Sequence, residues 1–240
     1  MGRAFEYRKA RKFARWNKMA VQFTRIGKEI AMAVKSGGPF PENNPRLRIA
    51  MQNARAANMP KANVEAAIKR ATSKDEKDYQ EVVYEGYGPY GVAIIVETAT
   101  DNPTRTVANV RHYFSKYGGA LGTSGSVDYM FERKAFFKID APEQDLEELE
   151  LSLIDFGLEE LVRDEEETIV QTTFTDFGKM QTALEEQNIS VVSTDIERIP
   201  MNYVAVSEAQ REELDKIIEK LEEDEDVQAV FHNMQDGDGA

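Results

Sequence analysis

Gly86, Gly88 and Gly91 in YEGYGPYG spell G-x-G-x-x-G, the spacing that lets backbone N–H groups approach a pyrophosphate in a dinucleotide-binding turn. That chemistry needs a strand before the glycines and a helix after them. Here the β-rich run VAIIVET (92–98) follows directly and Pro89 sits among the glycines, so the stretch reads as a turn leading into a strand. A second glycine cluster, GGALGTSGS (118–126), lacks the Lys-Ser/Thr pair of a phosphate loop and reads as a helix end followed by a turn. Both loops retain backbone N–H groups that could face a phosphate. His112 and His232 are the only histidines, and neither has a partner at metal-ligand spacing. With no cysteine, the chain has no thiol nucleophile, thiolate zinc site or disulfide. EEDED (222–226) reads as a solvated helix end, and DGDG (236–239) falls short of a calcium loop. No acid pair stands out as a catalytic dyad. The expectation is a protein without enzymatic activity, cofactor or metal.

The basic residues point elsewhere. Arg3, Arg8, Lys9, Arg11, Lys12, Arg15 and Lys18 crowd the first eighteen positions, with Glu6 as the only acid among them. Arg46, Arg48, Arg55, Lys61, Lys69 and Arg70 continue the pattern. Residues 1–74 hold 17 Lys plus Arg against Glu6, Glu29, Glu42 and Glu65, while the whole chain has a net charge of −13. An ordinary charged helix face mixes signs, so this segregation predicts a module that meets the phosphates of a nucleic acid. Phe5, Tyr7 and Phe13 interleave with the cations and could stack on unpaired bases, although Phe13 suits a core equally well. Further along, TDNPTRT (100–106) puts Asn102 at a helix start and Arg105 in its first turn, where the helix dipole prefers acids. That cost suggests a phosphate or partner contact, although a surface arginine of no consequence fits as well; Arg111, on the same helix, is counted among the nucleic-acid candidates.

The elements that must position these residues follow from periodicity. From Trp16, apolar residues recur at Met19, Phe23, Ile26, Ile30 and Val34, with Lys18, Arg25, Lys28 and Lys35 off that face, and Gly37-Gly38-Pro39 ends the helix. A second helix starts at Asn44-Pro45 and a third after Asn58-Met59-Pro60. Residues 1–12 are expected to form a loosely held basic arm, and TSKDEKDYQ (72–80) a linker. Beyond it, strand and helix patterns alternate: VAIIVET, a helix capped by Asp101-Asn102-Pro103, and a half-buried strand over 127–132. Then come FFKI, a helix through Leu146, Leu149 and Leu153, strands around 161–174, a helix through Phe177, Met180 and Leu184, and ISVVS. The chain closes with strand YVAV, a helix opened by the capping box at Ser207–Gln210, and strand VQAVFH. This order predicts an α+β multidomain fold: an N-terminal three-helix domain and two ferredoxin-like α+β domains, the second inserted in the first. The expected divisions are 1–76 (basic and helical), 77–134 with 201–240, and 135–200 (inserted).

These segments resemble the YebC/PmpR family, whose mitochondrial branch includes a translational activator of cytochrome c oxidase I. The resemblance rests on NPRLRIAMQNARAANMPKANVEAAIKRA (44–71), YEGYGPYGVAIIVETATDNPTRT (84–106) and VRHYFSKYGGALGTSGSVDYMFERK (110–134), and extends as a pattern over nearly the whole chain. Two departures are visible. The family usually opens Gly-His-Ser-Lys-Trp, where this chain has Gly2-Arg3-Ala4-Phe5-Glu6. It commonly has Arg-Asn after Thr-Asp-Asn, where this chain has Pro103-Thr104. The resemblance implies three domains and no enzymatic activity. It also implies one of two roles, a DNA-binding transcriptional regulator or a ribosome-associated factor that helps translation through difficult sequences such as proline runs.

The functional expectation is a nucleic-acid binder acting in gene expression, with DNA or ribosomal RNA and the ribosome as partner. No helix-turn-helix, zinc-finger or zipper spacing is visible, which favours the ribosomal form over sequence-specific duplex readout. Two alternatives come from other classes: a nucleotide-binding enzyme using the glycine loops, and an adaptor whose acidic body binds a basic protein. No apolar run reaches membrane-span length. The start lacks a myristoylation signal, and as a transit peptide it would be poor in serine. A monomeric cytoplasmic protein is expected.

Overall fold

The computed structural model describes residues 19–73, 78–140, 145–163 and 167–235. The basic arm, with Arg3, Arg8, Lys9, Arg11, Lys12, Arg15 and Lys18, lies outside the described residues, as do Phe5, Tyr7 and Phe13.

Three helices come first: α1 (Met19–Gly37), α2 (Pro45–Ala56) and α3 (Lys61–Ala71). Asn44 caps α2 by accepting from the Leu47 amide at 3.1 Å, with Pro45 supplying a φ already suited to the first turn. The same side chain donates to the carbonyls of Ala33 and Gly38, which ties the end of α1 to the start of α2. Ile26, Ile30, Val34, Leu47, Ala50, Ala54, Val64 and Ala67 form the bundle core.

Two four-stranded antiparallel sheets follow. The first contains β1 (Gln80–Tyr87), β2 (Ala93–Thr100), β3 (Ala120–Leu121) and β8 (Val227–His232), in the order β3-β1-β2-β8. Helices α4 (Pro103–Lys116) and α7 (Glu208–Glu223) cover one face through Val110, Phe114, Leu214 and Ile217. The second sheet contains β4 (Phe131–Asp140), β5 (Leu158–Arg163), β6 (Thr168–Thr173) and β7 (Ser190–Pro200), in the order β5-β6-β4-β7. Helices α5 (Leu146–Leu153) and α6 (Phe177–Glu186) pack on it through Leu149, Leu153, Met180 and Leu184. The β-α-β-β-α-β sequence of the second sheet, with β4 central beside β6, is the ferredoxin-like arrangement. The first sheet makes a similar two-layer unit from a hairpin, a crossover and the returning α7–β8.

Three expected elements come out differently. Residues 127–132 are not a strand: Val127 precedes a single 3-10 turn at Asp128–Met130, and β4 starts only at Phe131. The amides of Val127 and Asp128 donate to the Glu85 carboxylate, so they cannot join a ladder. YVAV contributes one isolated bridge, Val204 with Met234; Val204 and Val206 pack against the first core. Gln80, the last residue of the expected linker, opens β1, so residues 84–87, expected as part of a turn, belong to a strand paired with β2.

Candidate nucleic-acid interface

The helical bundle is docked by its own polar side chains. Lys28, expected on a solvated face, is buried. Its ammonium donates to the carbonyls of Ala99 (2.9 Å) and Glu225 (2.6 Å) and to Asp226 Oδ1 (3.0 Å). Arg25, one turn earlier, donates to the carbonyls of Val227 and Glu222. The run Ala31-Met32-Ala33-Val34 is buried at four consecutive positions, and Ala31, Ala33 and Val34 join the bundle core. On the other flank, Asn53 completes the edge of β7 as a backbone would: its Nδ2 donates to the Thr194 carbonyl (2.8 Å) and its Oδ1 accepts from the Thr194 amide (2.9 Å).

Asp226 is the hub of this docking. It accepts from Lys28, from Arg105 Nη2 (2.6 Å), from Thr106 Oγ1 (2.8 Å) and from Thr100 Oγ1 (3.2 Å). Burial pushes its carboxyl up, but the hydrogen bonds from Arg105, Lys28 and Thr106 outweigh burial and hold it at about 2. Arg105 therefore has a partner at the α4 N-terminus, and a second in Asp101 at 2.9 Å. Its unfavourable place in the first turn is explained inside the molecule. Asn102 is the cap of α4, accepting from the Arg105 amide at 3.1 Å. Arg111 is exposed on the same helix.

Other expected site residues separate into two groups. Arg46 pairs with Glu81, and Arg48 donates to the carbonyls of Pro41 and Glu42 with Glu185 at 3.7 Å. Lys61, Lys69, Arg70 and Arg55 are exposed on α2 and α3. Lys61 keeps 90% of its side chain in solvent, with only Glu65 nearby at 3.6 Å, while Arg55, Lys69 and Arg70 form no ion pair with a described residue. Sequence reasoning missed Lys28, Arg25, Asn53 and Asp226 as docking residues. The apolar run 31–34, which breaks the one-sided pattern of α1, is the signal that the helix is covered on both sides.

A carboxylate with an unusual environment lies at the same junction. Glu29 is pushed up to about 7 by burial and by Asp195, with Glu81 and Glu97 adding to the rise and Arg46 opposing it.

Neither glycine loop is a phosphate cradle. Gly86 lies inside β1, and the hairpin register runs Gly86 against Ile94 through a turn at Pro89–Gly91. A side chain at Gly86 would meet the Ala120 carbonyl at 2.5 Å, so this glycine serves close packing of β3 on β1. In the second loop the amides of Gly125, Val127 and Asp128 all donate to the Glu85 carboxylate, at 2.7–2.8 Å. The loop already holds an anion, and it is part of the fold. Burial raises the Glu85 pKa, but these three amides outweigh it and leave the group below its ordinary value. A cleft of about 500 Å³ separates α2 from the second sheet, lined by Gln52, Arg55, Gln181 and Glu185 among others, and neither glycine loop reaches it. Among the described residues no group of acids and histidines could hold a metal, and no helix is long and apolar enough to cross a membrane.

The domain organisation is shared with known proteins. Residues 3–74 match the N-terminal domain of TACO1/YebC proteins, and residues 79–234 match their second and third domains. The chain belongs to the TACO1/YebC family. A relative from Parabacteroides distasonis is 60% identical over 239 residues, covering 99% of this chain and 98% of the relative. One from Porphyromonas gingivalis is 58% identical over 240 residues, covering 100% of this chain and 99% of the relative. Each is named a probable transcriptional regulatory protein. The crystal structure of a conserved hypothetical protein, Aq1575 from Aquifex aeolicus, superposes with a TM-score of 0.75 at 39% identity, covering 91% of this chain and 90% of that one. These TACO1/YebC relatives support a regulatory role for the chain.

Proposed function

We propose that the chain is a non-enzymatic nucleic-acid-binding regulator of gene expression whose contact surface is the basic helical bundle. One observation carries this reading: after Lys28 and Arg25 are spent on docking, the solvent-facing sides of α2 and α3 still present Arg55, Lys61, Lys69 and Arg70, opposed by little acid. Such a surface gains affinity by releasing counterions from phosphates. The chain beyond residue 74 carries most of the acidic residues and repels a polyanion, so it orients one toward the bundle. The basic arm, from Arg3 to Lys18, extends the same charge and is proposed to share the contact.

Within this class we favour a ribosome-associated factor that binds ribosomal RNA and relieves stalled translation. The sequence shows no helix-turn-helix spacing, and a compact bundle with a basic arm suits a crowded RNA surface. The second reading is a DNA-binding transcriptional regulator, supported by the names of the relatives. The protein is proposed to work as a cytoplasmic monomer without a cofactor. Binding of a ribosomal RNA fragment and of duplex DNA, each titrated across KCl concentrations, tests both forms. The favoured form expects tighter binding to the RNA, with a salt slope that falls when residues 1–18 are deleted. Equal and salt-insensitive binding to both would contradict the whole reading.

A further inference from the structure

On the face of the second sheet nearest the first, Arg133 on β4 stands directly opposite Arg198 on β7. Like charges facing across an antiparallel pair destabilise a sheet. Arg198 is compensated, since its Nε donates to Glu97 Oε1 at 2.8 Å and its Nη1 to Asp128. Arg133 has no such compensation: it is exposed, forms no ion pair with a described residue, and rests with its guanidinium carbon 3.6 Å from the centre of the Phe174 ring. The acids nearby are already committed, Glu97 and Asp128 to Arg198, Glu81 to Arg46 and Glu132 to Lys134. Burial, and then the facing Arg198, lower the Arg133 pKa from its ordinary value, and together they outweigh the opposing pull of Glu97, Asp128 and Glu81.

Phe174 is itself 37% exposed, so the pair is a platform at the surface and not a core contact. Stacking fixes the plane of the guanidinium and leaves the edges of its fork open. A fork held in that way is suited to two parallel hydrogen bonds with a phosphate. Its location also suits an extended strand. Arg198 lies four residues along β7 from Thr194, the residue gripped by Asn53 of the bundle, which is about 13 Å at the rise of a strand.

We propose that Arg133, held flat on Phe174, is a second contact point for a backbone phosphate of the nucleic acid, on the sheet layer and beside the helical bundle. This proposal rests on the nucleic-acid reading above. A strand lying on α2 and α3 then continues onto β4 and β7, and the unpaired Arg133 facing Arg198 is a cost retained for binding.

The test is a fluorescence-anisotropy titration of the full chain with a labelled single strand of twenty nucleotides, repeated at several KCl concentrations, on wild type, Arg133→Gln and Arg133→Lys. For Arg133→Gln the expectation is an affinity weaker by about three- to tenfold and a salt slope smaller by about 0.7, as one phosphate goes without its cation. Its melting temperature should stay level or rise, because a repulsive pair is gone. Arg133→Lys should recover the salt slope but not the full affinity. If wild type binds the strand and Arg133→Gln binds with unchanged affinity and slope, the proposal is overturned while the bundle reading stands. A fall in melting temperature for Arg133→Gln would overturn it too, by showing that the arginine serves the fold. If wild type binds no strand, the underlying reading fails first. Competition by a mononucleotide as effective as the strand would replace the strand with a small-ligand site and also overturn the proposal.

Discussion

The inner side of α1 and the outer side of α3 carry the same residue types and use them in opposite ways. On α1, Lys28 and Arg25 are turned toward the first α+β unit, where five carbonyl and carboxylate oxygens of β2, α7, the turn after it and β8 receive them. On α3, Lys61, Lys69 and Arg70 face water. A basic residue in the sequence therefore counts toward a phosphate-binding surface only once its internal partners are known. The inner cations determine where the bundle sits, and the outer ones determine what it can attract.

Breaking the inner set should have the larger effect. Asp226→Ala leaves Lys28 and Arg105 beside an empty site, and removing one partner of a buried charge pair costs about 3–5 kcal/mol. Urea denaturation should show that loss. The pH dependence follows from the direction of the shift. Asp226 sits at about 2 in the fold against an ordinary 3.8, so its contribution is complete above about pH 4 and disappears as the pH falls toward 2. In Asp226→Asn this acid-sensitive component should be absent.

Breaking the outer set should leave the fold alone. The combined change Lys61→Glu, Lys69→Glu and Arg70→Glu is expected to alter stability by no more than about 0.5 kcal/mol per site. Nucleic-acid affinity should nevertheless drop at least about tenfold, and the salt slope should shrink by roughly 0.7–0.9 for each phosphate that is no longer neutralised. A variant that loses stability and keeps affinity would reverse the assignment of the two sets.

Glu29 sharpens the comparison, because it lies where the bundle meets both sheets. Its folded pKa of about 7 exceeds the ordinary 4.5, so the folded state holds a proton that the unfolded state gives up. Stability should decline as the pH rises between these values and level off above about 7. Glu29→Gln should flatten that decline and gain about 1–3 kcal/mol at pH 8, the raised pKa discounted for solvent screening. Thermal melts at pH 5 and pH 8 would check this. Smallest of all, Asn53→Ala should cost about 1–2 kcal/mol by removing two hydrogen bonds from the edge of β7, measurable by the same urea titration.

Much of the architecture was legible because it is local. Asn44-Pro45, Asn102-Pro103 and Ser207–Gln210 each announced a helix start, and each side chain caps its helix as expected. Beyond residue 80 the helices and most of the strands likewise followed from periodicity, whereas β1 and β3 were not anticipated and the strands expected at 127–132 and YVAV do not form. What was not legible depends on partners distant in sequence. Asp226 lies 198 residues from Lys28, and nothing in the spacing around Lys28 reveals that a carboxylate waits for it. Glu85 similarly fills the 118–126 loop from another strand, which turned an apparent phosphate cradle into a folded-in anion site. The alternation at 127–132 misled for the same reason, since the amides that a strand would have used belong to Glu85. Within the candidate interface, the sequence identified the basic module but not the division between docking and display.

The most direct measurement is ultraviolet crosslinking of the full chain in living cells, followed by sequencing of the attached nucleic acid and mapping of the crosslinked peptides. The account predicts ribosomal RNA fragments attached through residues 1–74, with peptides from α2 and α3 among them. Discrete DNA sites attached through the same residues would keep the surface and change the target. Recovery of no nucleic acid, or crosslinks confined to the acidic sheets, would contradict the claim that the helical bundle is the contact surface.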